Sequence, residues 1–193
     1  MSGDRAPRPA SPLRNAYWLP LPDESILAGE YPGAPDDDET RARLRALLGA
    51  GITCFIDLTA GEREWVRPYE SLLREEARAH GVEVHVHRLT IEDRGVPGVA
   101  GMREILDRIA EAVANGQAVY VHCIGGVGRT GMVVGCHLVR RGWDGERALA
   151  EVARLFATMS PTKVRQHPEG SPQVEEQRAM VREWESVERG DAA

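Results

Sequence analysis

Residues 119–131 read VYVHCIGGVGRTG, an apolar run followed by one cysteine, four glycines, an arginine and a threonine. The run extends back to Ala118, and AVYVH over 118–122 has the length and continuous apolar character of a strand buried on both faces. A glycine-rich loop follows it directly and opens a helix that continues to about Arg141. Strand, tight loop and helix in succession form the repeating unit of an α/β fold.

Outward from this unit the alternation continues. ESILAGEYPG reads as a short strand running into a turn at Pro32 and Gly33. Asp36, Asp37 and Asp38 precede TRARLRALLGAG, a helix with an acidic start and a glycine stop. ITCFIDL (52–58) is a second buried strand, and PYESLLREEARAHG a helix ending at Gly81. VEVHVHRL alternates with period two. VAGMREILDRIAEAVANG, WDGERALAEVARLFATM and PQVEEQRAMVREWESV have helical spacing. The expected fold is α/β, a central mostly parallel mixed sheet flanked by helices on both faces. One domain is expected over residues 15–190, behind a flexible tail over 1–14 that is rich in Pro and Arg. Ligands of such sheets bind beyond the carboxyl ends of the strands, where the loop after His122 lies.

A turn alone seldom needs Gly125, Gly126, Gly128 and Gly131 together. Gly126, Gly128 and Gly131 match the dinucleotide pattern G-x-G-x-x-G, with Glu151 about 20 residues on. That acid should end the next strand, however, and ALAEVARLF around it is helical. A Walker loop lacks its lysine. A third reading uses every polar residue. Glycines let successive main-chain N–H groups converge into an anion nest, and the helix that follows adds its positive end. Arg129 supplies a planar fork that holds two phosphate oxygens. Helix N-termini and cations also stabilise a thiolate, the nucleophilic form of cysteine. Cys123 at the floor of a phosphate cradle is the layout of a phosphatase site.

The segment His122-Cys123-Ile124-Gly125-Gly126-Val127-Gly128-Arg129-Thr130 resembles the signature of cysteine-dependent protein tyrosine and dual-specificity phosphatases. The similarity is greatest to small members like the cyclin-dependent-kinase-associated phosphatases. The resemblance implies nucleophilic attack by Cys123, with Ile124, Gly125, Gly126, Val127, Gly128 and Arg129 binding the substrate phosphate. Thr130 would donate to the departing sulfur, and His122 would buttress the loop. It also implies a general acid upstream, where IEDRGVPG matches P-I-x-D-x-x-x-P at Ile91, Asp93 and Pro97, with Thr90 in place of the first proline. Asp93 is the expected acid and Glu92 the fallback. Gln173 and Gln177, on one helical face, resemble the element that orients the hydrolytic water. Glu62, Arg63, Trp65 and Tyr69 are candidates for the substrate rim. The implied function is phosphomonoester hydrolysis through phosphocysteine, and the alternative is a pseudophosphatase that docks phosphoproteins without turnover.

Composition sets the remaining expectations. At 193 residues with a net charge of −6, the chain lacks the basic excess of a nucleic-acid binder. No apolar run approaches the ~18 residues that mark a membrane span. Three widely spaced cysteines make neither a disulfide framework nor a zinc site, so a reducing, cytoplasmic setting is expected. No metal and no cofactor is expected, and the partner is a phosphoprotein or phosphopeptide substrate met by a monomer. His85 and His87 share a strand face without a third metal ligand. Cys54 and Cys136 are assigned to the core. Gly131 and Gly135, one turn apart, are expected to let the signature helix pack closely on the sheet.

Overall fold

The computed structural model describes residues 10–60 and 66–190, and among these described residues it contains five strands and seven helices. The strands are β1 (Ala16–Trp18), β2 (Ile26–Gly29), β3 (Ile52–Asp57), β4 (His85–Arg88) and β5 (Ala118–His122). They lie in the order β1-β2-β5-β3-β4, with β1 antiparallel to β2 and the other pairs parallel. β5 therefore holds the centre, paired with β2 through Gly29↔His122 and with β3 through Asp57↔His122. The carboxyl ends of three strands meet where the glycine-rich loop begins.

The period-two alternation of β5 separates two cores. Val119 and Val121 pack with Cys54, Ile56 and Ala28 beneath α3 (Val99–Ala114), α4 (Gly128–Arg140), α5 (Gly145–Phe156) and α7 (Glu175–Arg189). Tyr120 packs with Phe55 and Leu27 beneath α1 (Asp37–Gly49) and α2 (Glu70–His80). Helices thus cover both faces, as expected of strands that are apolar throughout. Asp36 caps α1 by accepting from the Glu39 N–H at 3.0 Å, and Gly81 ends α2 at φ 68°.

Two elements were not expected. β1 is three residues long, too short to show a period, and α6 (Pro161–Gln166) is six residues long, capped by Ser160 with Pro161 in its first turn. The glycines of α4 also serve a different neighbour from the one expected. A Cβ on Gly135 would sit 2.7 Å from Val181 of α7, and one on Gly131 would collide with the Ser171 hydroxyl. These glycines bring α4 close to α7 and to the segment before it, not to the sheet. Among the described residues no helix is long and apolar enough to cross a membrane, and no group of three or more His, Cys, Asp or Glu is placed to hold a metal ion.

Candidate active site

The loop between β5 and α4 is held from outside through its carbonyls. The Tyr31 N–H donates to Ile124 O at 3.0 Å, and the Ser171 hydroxyl donates to Val127 O at 2.7 Å. Gly126 adopts φ 70°, and a Cβ there would lie 2.5 Å from the main chain of Gly29. Only glycine allows so close an approach in the left-handed region. With the carbonyls engaged, the N–H of Gly126 donates to Cys123 Sγ at 3.3 Å. The N–H groups of Gly125, Val127 and Gly128 reach no acceptor among the described residues. Val127 and Gly128 are buried, and buried main-chain donors are nearly always paired. A cluster of them around a sulfur and a helix N-terminus has the chemistry to hold an anion.

Arg129, in the first turn of α4, is 3% exposed. Its Nη1 donates to Ile91 O at 3.0 Å and its Nη2 lies 3.1 Å from Asp93 Oδ1. The upstream carboxylate thus reaches the cradle, and it is Asp93 that does so, with Glu92 exposed beside it. Thr130 Oγ1 is buried without a hydrogen-bond partner among the described residues.

His122 is fully buried among the rings of Tyr31, Tyr69 and Tyr120, at centroid distances of 5.6, 5.4 and 5.5 Å. Its Nδ1 faces two acceptors, Cys123 O at 3.4 Å and Asp57 Oδ1 at 4.0 Å, while Nε2 lies 2.8 Å from the Tyr69 hydroxyl. Burial pushes the Tyr69 hydroxyl well above its usual range, with Asp57 adding to the shift. The phenol therefore stays protonated and donates to Nε2. Tyr69 is consequently not a rim residue; it is 0% exposed and fixes the histidine behind Cys123. Sequence reading missed this role, because 53 residues separate the two partners. Glu62, Arg63 and Trp65 lie outside the described residues.

The two glutamines converge on the loop, but not from one helical face. α7 begins at Glu175, so Gln173 precedes it in extended chain. Gln177 is fully buried inside it, not on a solvated surface. A Cβ on Gly128 would meet Gln173 Oε1 at 2.8 Å and Gln177 Oε1 at 3.0 Å. Gln177 Nε2 donates to Gly95 O at 3.1 Å, tying α7 to the Asp93 loop, and its Oε1 is buried without a partner among the described residues.

A family model described as "Polymorphic toxin system, DSP-PTPase phosphatase" matches residues 33–143, more than half of the chain. The chain belongs to this family. In sequence, the chain is 33% identical over 132 residues to cyclin-dependent kinase inhibitor 3 of Rattus norvegicus, a match covering 63% of the chain and 59% of that protein. The chain spans less than two thirds of the length of the curated relatives it matches. Among solved structures, the active form of Tk-PTP matches with a TM-score of 0.60 at 28% identity, over 84% of this chain and 92% of that one. Kinase associated phosphatase, solved with its catalytic-site cysteine replaced by serine, matches with a TM-score of 0.67 over 87% and 88%. At 19% identity that likeness concerns the fold. The resemblance and the fold class expected from the sequence both stand, and the chain carries a phosphatase domain of the dual-specificity type.

Proposed function

We propose that this domain is an active, metal-independent phosphomonoesterase that works on phosphoproteins through a phosphocysteine intermediate. One observation carries the reading: Cys123 Sγ, unpaired main-chain donors, the Arg129 guanidinium and the Asp93 carboxyl meet at one end of the central strand. Cys123 Sγ attacks phosphorus, and the bond from phosphorus to the ester oxygen breaks. Asp93 gives its proton to that oxygen, and the alcohol leaves. Arg129 and the loop N–H groups hold the charge that spreads over the remaining oxygens. To do so, Arg129 Nη2 exchanges Asp93 for a phosphoryl oxygen. Water then attacks the phosphorus of the phosphocysteine, Asp93 takes its proton, the bond from phosphorus to sulfur breaks, and Cys123 returns to its thiolate as inorganic phosphate is released. The unpaired Thr130 hydroxyl supports its assignment as donor to that sulfur. The free Oε1 of Gln177 supports its assignment, with Gln173, to the water.

Every loop residue between Cys123 and Arg129 is uncharged, which favours a single phosphate on a protein over a polyanionic inositol phosphate. We assign the site to one domain over residues 15–190, acting as a monomer in a reducing, cytoplasmic compartment. Hydrolysis of p-nitrophenyl phosphate tests the reading. The expected result is turnover that vanadate blocks and EDTA leaves unchanged, and that Cys123→Ser abolishes. A folded protein that binds vanadate but turns nothing over is the docking pseudophosphatase instead.

A further inference from the structure

His167 takes no part in the steps above, yet it lies against the cradle. It follows α6, and its Nε2 is 4.0 Å from the place a Cβ on Gly125 would occupy. Gly125 has no side chain to separate the imidazole from whatever the loop holds. The Gln173 amide determines which ring nitrogen carries the proton. Its Nε2 lies 2.9 Å from Glu169 Oε1, and a carboxylate requires a donor, so the NH2 end of the amide faces that way. The same Nε2 lies 3.3 Å from His167 Nδ1, which accepts the second amide hydrogen. A neutral imidazole that accepts at Nδ1 carries its proton on Nε2. Glu169 Oε1 is 3.4 Å from Nδ1, so a protonated ring donates there and keeps its Nε2–H. The Gln173 hydrogen bond also lowers the Glu169 carboxyl below its usual range, which keeps this partner ionised. In both forms the ring is gripped at Nδ1 and offers a donor at Nε2.

We propose that His167 is a further substrate-contacting residue, its Nε2–H donating to an oxygen of the phosphorylated substrate. Glu169 and Gln173 act as its positioning residues. The inference rests on the phosphatase reading for the nature of the ligand. It supplies from outside the loop a side-chain donor, which the uncharged residues between Cys123 and Arg129 lack. The acceptor is a phosphoryl oxygen or a peptide oxygen beside it.

Three variants decide the matter: His167→Ala, His167→Asn and His167→Gln. The Asn amide reaches only the Nδ1 position, whereas the Gln amide reaches the Nε2 position. Each is compared with the wild type by kcat and KM on p-nitrophenyl phosphate and a phosphotyrosine peptide, and by calorimetric titration with vanadate. Ala and Asn are expected to raise peptide KM about tenfold, the size of one lost hydrogen bond, with a smaller change in kcat. Gln should restore most of the loss. A parallel fall in vanadate affinity places the acceptor on the phosphoryl group, and an unchanged vanadate affinity places it on the peptide. Wild-type values in all three variants overturn the proposal. So does rescue by Asn but not by Gln, which would make His167 a structural partner of Gln173. If the wild type turns nothing over, the enzymatic reading fails by itself. Titration of the four proteins with phosphopeptide and vanadate then still measures the contact.

Discussion

Asp93 is 64% exposed, while its partner Arg129 is buried, as are Cys123 and Thr130. The difference follows from how its loop turns. Gly95 N–H donates to Glu92 O at 2.8 Å, which makes a β-turn with Asp93 and Arg94 at its corners. Arg94 takes φ 57°, a left-handed conformation uncommon for a residue with a long side chain. The corner turns Asp93 toward Arg129 yet leaves it in contact with solvent, as the proposed alternation between acid and base would require. Asp93→Ala should lower kcat on a phosphotyrosine peptide by ~10²–10⁴-fold with little change in KM, the usual range for a general acid. The loss should be smaller on p-nitrophenyl phosphate, whose leaving group departs readily as an anion. Glu92→Gln should behave like wild type on both substrates. A Glu92 variant with the larger defect would transfer the acid role to that residue.

At the scale of elements, α4 carries the loop, and α7 fixes where α4 lies. Gly135 lets the Val181 side chain close on α4, with its two methyls 2.7 and 2.8 Å from where a Cβ would stand. Gly135→Val should therefore destabilise the fold by ~1–3 kcal/mol through overpacking, measured by urea unfolding. Val181→Ala in the same chain should return part of that loss, because the two sites share one space. A neutral Gly135→Val would show that the helices separate freely. This contact also marks how far the sequence could be read. β3 and β5 were legible because continuous apolar runs between turn signals admit few other structures. The cradle was legible because its residues are consecutive, so local glycine chemistry specifies it. The supports of the cradle were not legible. Ser171 reaches Val127 across 44 residues, and Tyr69 reaches His122 across 53, and neither pairing leaves a periodic trace. The helical spacing of PQVEEQRAMVREWESV puts Gln173 on the helix, but Val174 is extended at φ −116° and ψ 157° and delays the start of α7.

Over the whole molecule, the site sits at the middle of the sheet, while charge pairs fasten the periphery. On the α1–α2 side, Glu76 is 6% exposed and accepts from two guanidiniums of α1. Arg45 Nε lies 2.7 Å from its Oε2, and Arg41 Nη1 lies 2.9 Å from its Oε1. The Arg45 hydrogen bond, followed by that from Arg41, lowers the Glu76 carboxyl from its ordinary value of 4.5. A carboxyl whose folded value lies below its unfolded one adds stability that is fully present above the unfolded value. That stability is lost as pH falls through the folded value. Glu76→Gln should therefore lower Tm relative to wild type at pH 7, by an amount that stays constant down to about pH 5. Below about pH 4.5 the gap should narrow, because the unfolded carboxyl takes up its proton there while the folded one, held lower, does so only at still lower pH. Thermal melts of both proteins between pH 3 and 8 measure it. A gap that is the same at every pH would assign Glu76 a packing role, and the latch between α1 and α2 would not depend on charge. Turnover of p-nitrophenyl phosphate at 25 °C and pH 7 should be equal in the two proteins, since α1 and α2 lie across the sheet from α4.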